Sequence, residues 1–263
     1  MNFPTFNLMG IRVQAITASD LLCIIYEATQ KQAKYVIANH NTHSLYVWFH
    51  DDKMRDFHAR ADFTHVDGMP LIALFTPFGI PLRREHRIGY ADFLPLLAKE
   101  AVKHGWRIYH LGSKPGVGEK GVAILRDQYP GLQVRTHHGH FDVQRSENEA
   151  VLADIRAYQP DVLLVGMGMP RQEAWIYDNL RSISARTIFC SGGMMDLVAG
   201  EIPTCPRWLG QVGLEWCYRL CSEPSRLWRR YLVEPWFVLG QLSGAPLRLG
   251  RSLNAANLEE SDR

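Results

Sequence analysis

The chain has 263 residues, 46% of them hydrophobic and 21% charged, enough for one large domain or a domain with an appendage. Its formal net charge of +2 is too small for a general nucleic-acid binder, and no run reaches the roughly 20 apolar residues of a membrane-spanning helix. Five cysteines, Cys23, Cys190, Cys205, Cys217 and Cys221, form an odd set without paired spacing, which predicts reduced thiols rather than a disulfide framework.

The opening segment, MNFPTFNLMGIRVQAI, lacks a basic stretch followed by an apolar run and does not read as a signal peptide. The first strand is expected at YVIANH, and its end carries Asn39 and Asn41. HDDK at 50–53 is an adjacent acidic pair on an expected helix, not a D-x-D triad. FTHVDG reads as a second strand ending in Asp67. Asp-Gly is a common turn device, but a carboxylate at a strand end can also serve as general base toward a sugar hydroxyl. From Tyr90 to His104 the apolar residues Phe93, Leu94, Leu97, Ala98 and Ala101 share one face of a helix.

WRIYHLGS is the next expected strand. It leads into a loop whose Gly112, Gly116 and Gly118 can expose N–H groups to a phosphate, or can simply turn the chain into a helix. The spacing is neither GxGxxG nor a Walker motif. LQVRTHHG, PDVLLVGMG and ARTIFCSGG are three further strands, with a helix at 147–158 between the first two. The histidine runs HNTH at 40–43 and HHGH at 137–140 lack a carboxylate–histidine helix pattern and read as polar loops. In MGMPRQEAW, Pro170 suits a first helical turn and Glu173 complements the helix dipole, which leaves the Gln172 amide free for a ligand. CSGGMMD brings Asp196 to another strand end.

Strands alternating with helices predict an α/β fold, a mostly parallel Rossmann-like sheet flanked by helices. Ligands in such folds bind beyond the C-terminal strand ends, where Asn39, Asn41, Asp67, Gly112, Gly168, Gln172 and Asp196 all fall. The alternation stops near Pro203–Pro206, so a core is expected over 1–203, a helical appendage over 204–240 and a tail over 241–263. From Arg207 to Arg251 there are seven arginines, no lysine and three glutamates. Ser222 and Pro224 mark one helix ending and another beginning. Arg226, Arg229 and Arg230 then share one side, with Leu227, Trp228, Tyr231 and Leu232 on the other. Such an element either lies on an anionic membrane or packs its aromatics on the core with solvated arginines. Cys217 and Cys221, one turn apart, are expected as small buried hydrophobes rather than metal ligands.

VDGMPLI, RIGYADF, LGSKPGV, YPGLQV, PDVLLVGMGMPRQEAWI, GGMMDLVAG and GLEWCYRLCSEPSRLWRRYL occur in this order. Together they resemble the bacterial WecG/TagA/CpsF glycosyltransferase family from about Phe6 to Phe237. The resemblance implies an inverting transferase that needs no metal or other cofactor. It would move a sugar of the N-acetylmannosamine, N-acetylmannosaminuronic acid or glucose type from a UDP-sugar to a polyprenyl-diphosphate-linked saccharide. It also implies a cytoplasmic enzyme peripheral on the inner membrane surface, in a family that often self-associates, building cell-surface polysaccharide.

By motif position Asp67 is the implied base, Gln172 a donor contact and Asp196 a uridine contact, with Gly112 and Gly168 in donor loops. Asn39, Asn41, Arg87, Arg219, Arg226 and Arg229 are implied acceptor or phosphate contacts. Asn39 stands where threonine is usual, His140 where tyrosine is frequent, and Thr204 where the family carries arginine. Two other readings compete: a nucleotide-binding oxidoreductase, which lacks its glycine fingerprint here, and a non-catalytic membrane adaptor, which leaves the polar strand ends unexplained.

Overall fold

The computed structural model describes residues 1–211 and 213–244; most of the expected tail, 245–263, lies outside them. The chain opens with a hairpin absent from the sequence reading: β1 (Thr5–Leu8) pairs antiparallel with β2 (Ile11–Gln14). Its two-residue turn places Met9 at φ 54° and Gly10 at φ 89°, the twist that a tight hairpin requires. The hairpin then docks on the main sheet, where Gln14 Oε1 accepts the Thr64 N–H at 2.8 Å.

All six strands expected from apolar runs are present: β3 (Tyr35–His40), β4 (Phe63–Val66), β5 (Arg107–Gly112), β6 (Gln133–His137), β7 (Val162–Gly166) and β8 (Thr187–Cys190). They form one parallel sheet in the order β4-β3-β8-β7-β5-β6. Helices α1 (Ala18–Lys31), α2 (Thr42–His50), α3 (Asp52–Arg60), α4 (Met69–Phe75), α5 (Tyr90–His104), α6 (Val117–Gln128), α7 (Ser146–Tyr158), α8 (Arg171–Asn179) and α9 (Met194–Val198) connect and cover them. The acidic pair at 51–52 falls on a break, not within one helix: Asp51 ends α2 and caps α3 by accepting the Met54 N–H.

Alternation along each strand divides the core in two. Ile37, Ile108, Leu164 and Phe189 face α1, α5, α6 and α9, while Val36, Ala38, Tyr109, Leu163 and Ile188 face α3, α7 and α8. From β5 the chain winds outward to β6, and from β7 it winds the other way to β8. The connections therefore part between β5 and β7, the switch point at which such sheets open a crevice.

The strand–helix alternation ends after α9. α10 (Arg207–Gln211), α11 (Glu215–Ser222), α12 (Pro224–Leu232) and α13 (Glu234–Ser243) follow. Ser222 closes α11 with its hydroxyl bonded to the Tyr218 carbonyl, and α12 starts at Pro224. α13 returns to the body. Its Val238 and Leu242 are fully buried in a third core with Phe6, Leu8, Ile11 and Val13 of the hairpin, Leu45 of α2 and Ile72 and Phe75 of α4.

Candidate active site

The C-terminal ends of β3, β4, β7 and β8 face α11 and α12 across a solvent-open cleft. Asn39, Asn41, Asp67, Gly168, Gln172, Arg219, Arg226 and Arg229 line it together. Arg87 lines two adjoining grooves with Asp67 or Arg219. Gly112, at the end of β5, and Asp196, in the first turn of α9 beside the cleft residue Gly193, are not among the residues that line the cleft.

Asp67 follows β4 directly, and its N–H continues the ladder by donating to the His40 carbonyl at 2.8 Å. The segment after it returns alongside, with Ile88 N–H donating to Val66 at 2.9 Å, which brings Arg87 next to Asp67. Burial holds the Asp67 carboxyl above its ordinary range. Glu215 adds to that shift, and Arg219, Arg230 and Arg87 oppose it. A carboxylate partly withdrawn from water, with cations close by, is a stronger base than an exposed one and still has a place for its charge.

Arg87 bridges the two walls, 2.6 Å from Asp92 and 3.1 Å from Glu215 of α11. A second tie, His43 Nδ1 to Glu234 Oε2 at 2.6 Å, holds α13 against α2. Asn41 is occupied as the cap of α2: its Oδ1 accepts the Ser44 N–H at 2.9 Å, and its own N–H donates to Ser44 Oγ at 2.8 Å. Asn39, one strand position before His40, is buried and its Oδ1 has no protein partner.

Gln172 differs from expectation, because its amide is not free. Oε1 accepts from Gly168 and Gly192 at 3.3 and 3.2 Å, and Nε2 donates to Glu173 Oε1 at 2.8 Å. It thus stitches the loops after β7 and β8 into one surface. Glu173 stands in the first turn of α8 as expected but is fully buried, and burial pushes it up to about 7, near the Cys190 thiol.

Two of the three loop glycines, Gly112 and Gly118, are steric in origin, while Gly116 supplies a φ of 84°. A Cβ on Gly112 would lie 2.4 Å from the Gly166 oxygen, one on Gly166 2.5 Å from the Gly192 oxygen, and one on Gly118 2.4 Å from Thr136 Oγ1. The strand ends pack too closely for any side chain. Asp196 begins α9 and accepts from the Ser113 hydroxyl at 3.2 Å, and His140 Nδ1 donates to the Ser113 carbonyl at 3.1 Å.

On α12 the two sides divide differently from the sequence reading. Leu227 is buried and Arg230 is more enclosed than the exposed Arg226 and Arg229, while Trp228 and Leu232 point to solvent at 50% and 51% exposure. Arg226 is held by Glu223 through two contacts of 2.6 and 2.8 Å. Arg230, Glu215, His43 and Tyr90 are cleft residues that sequence reasoning did not single out as site residues. Arg230 alone had a signal, its place beside Arg226 and Arg229. Cys217 and Cys221 are not the buried hydrophobes expected: Cys221 is exposed and Cys217 half-buried. Short helices with few buried positions have no core in which to place them.

Four histidines, His40, His58, His65 and His110, are buried in the body of the fold. His40 and His58 stack at 3.8 Å, and burial holds His58 down to about 3 and His65 and His110 to about 4, so all are neutral at pH 7. Among the described residues, no group of three or more His, Cys, Asp or Glu side chains is placed to hold a metal ion.

Comparison with known proteins adds the class of chemistry. The family model described as "Glycosyl transferase WecG/TagA/CpsF family" matches residues 6–251. An N-acetylglucosaminyldiphosphoundecaprenol N-acetyl-beta-D-mannosaminyltransferase of Staphylococcus aureus (strain MRSA252) is 26% identical over 237 residues, covering 84% of this chain and 91% of that protein. The protein of the same description from strain MW2 is 25% identical with the same coverage.

Proposed function

The chain belongs to the WecG/TagA/CpsF glycosyltransferase family, and from that premise we propose that it moves a hexosyl group from a UDP-sugar to a polyprenyl-diphosphate-linked saccharide. Transfer proceeds with inversion. Asp67 takes the proton of the acceptor hydroxyl as the acceptor oxygen bonds to the anomeric carbon. The bond from that carbon to the diphosphate breaks, and UDP leaves with the electron pair. Arg219, Arg229 and Arg230, with Arg87 at the rim, meet the charge that develops on the leaving group, so no divalent ion is required. Gly168, Gln172 and Gly192 form the donor floor, with Gly112 and Asp196 behind it. Gln172 acts by fixing that floor.

One arrangement carries this reading: a half-buried carboxylate at a strand end, its affinity for a proton raised, with arginines from separate elements around it. The oxidoreductase alternative falls with the family match. No described helix is long and apolar enough to cross a membrane. Trp208, Trp228, Leu232 and Trp236 are exposed beside the arginine wall. In this reading they rest on the bilayer that holds the lipid acceptor, as interfacial aromatics do. The test is UDP release from a panel of UDP-sugars with a lipid-diphosphate N-acetylglucosamine acceptor. Release that persists in EDTA is expected. Release abolished by EDTA and restored by magnesium defeats the metal-free assignment.

A further inference from the structure

Three buried side chains beside Asp67 each keep one polar atom without a protein partner: Asn39 Oδ1, His65 Nε2 and the Tyr90 hydroxyl. The fold makes them neighbours. Asn39 and His65 pair in register across β3 and β4. Ile37 and Phe63, two positions earlier on the same strands, face the α5 side of the sheet, so alternation turns Asn39 and His65 to that side as well. Tyr90 opens α5 with its ring 6.1 Å from that of His65, edge to face. The three are 5%, 0% and 8% exposed, and Asn39 and Tyr90 line the cleft that holds Asp67. Buried polar atoms are nearly always satisfied, so three left open in one patch point to a ligand.

The patch is also defined in its chemistry. His65 Nδ1 faces the Val66 carbonyl at 3.4 Å, and the ring is neutral at pH 7, so Nε2 presents a lone pair. Burial, with Cys190, Asp67 and Glu173 nearby, holds the Tyr90 phenol well above its ordinary range, so it keeps its proton and donates. Asn39 Oδ1 accepts. One donor and two acceptors, none charged, match the hydroxyl or acetamido substituents of a pyranose.

We propose that Asn39, His65 and Tyr90 form the subsite for the ring substituents of the transferred sugar, with the Tyr90 hydroxyl as its specificity-determining contact. The proposal rests on the glycosyl-transfer reading above. Tyr90→Phe keeps the ring against His65 and Phe93 and removes only the oxygen. UDP affinity by calorimetry is expected to equal wild type, which also shows that the variant is folded. In UDP-release assays with UDP-N-acetylmannosamine, its uronate, UDP-N-acetylglucosamine and UDP-glucose, the preferred donor should lose about five- to tenfold in kcat/KM, the worth of one hydrogen bond. The disfavoured donors should lose less, so the ratio between them shrinks. An equal loss for all four, no loss, or a parallel fall in UDP affinity overturns the subsite. A wild-type enzyme that releases UDP from none of the four defeats the transfer reading itself, and the subsite with it.

Discussion

The cleft has two walls built on different physics. The sheet wall is set by contact: Gly112 and Gly166 bring backbones together with no room for a Cβ, and the Gln172 amide ties the loops of Gly168 and Gly192 together. The helical wall is set largely by charge. Across the described residues of α11 and α12 only Leu227 is buried; Arg87–Glu215 ties α11 to the body, and apolar anchoring comes only after them, from Val238 and Leu242 of α13 beside the His43–Glu234 pair. A wall with many buried contacts opens locally only at high cost, whereas one with few opens at low cost. The sheet wall is therefore expected to be rigid, and the arginine wall to be the part that adjusts.

The comparison breaks first at the base. Asp67→Asn should lower turnover about 10²- to 10⁴-fold, the range for removing a general base, with UDP affinity kept. Glu215→Gln should cost far less in the same steady-state assay. If Glu215 proves the more damaging, the base belongs to the helical wall. With Asp67 held above the ordinary carboxylate range, the rising limb of the pH–rate profile should also lie above it.

Behind the sheet wall, burial pushes Glu173 from the ordinary glutamate value of 4.5 up to about 7. The folded chain holds a proton that the unfolded chain releases, so stability falls as pH rises from about 4.5 to 7 and is level above. The loss is on the order of 3 kcal/mol. Urea unfolding at pH 5 and 8 should show this for wild type, and Glu173→Gln should flatten it.

Next, the arginines should rank by enclosure. Arg219→Gln is expected to lower kcat/KM for transfer about ten- to a hundredfold, the scale of a charge-assisted hydrogen bond. Arg226→Gln should do less, because Glu223 already holds that guanidinium. Gly166→Ala tests the steric wall itself and should cost about 1–3 kcal/mol in urea, with the slope unchanged. Trp236, 71% exposed, should matter least to the fold. Trp236→Ala should change stability by less than about 0.5 kcal/mol and yet reduce flotation with anionic liposomes.

The parallel sheet was legible because central strands of this class are continuous apolar runs ending in glycine or small polar residues, as at VLLVG and TIFC. The hairpin was not, because its strands are four residues long and its turn is Met-Gly rather than a strong turn dipeptide. Candidate residues at strand ends, Asn39, Asn41, Asp67, Gly168 and Gln172, were readable from topology alone, since a parallel sheet sends all of its C-terminal ends to one edge. Their use was not. Spacing cannot show that Asn41 is consumed as a cap, that Gln172 is consumed as a stitch, or that Asn39 is left open.

By itself, then, the order of apolar runs determined the sheet and its edge, because those depend on local periodicity and on short connections. Only the tertiary structure decided which side of α12 faces the cleft and that Tyr90 meets Asn39 and His65. It also decided that α13 completes the hairpin's core. Those outcomes depend on contacts between residues far apart in the chain, and on burial, which exists only once the walls are in place.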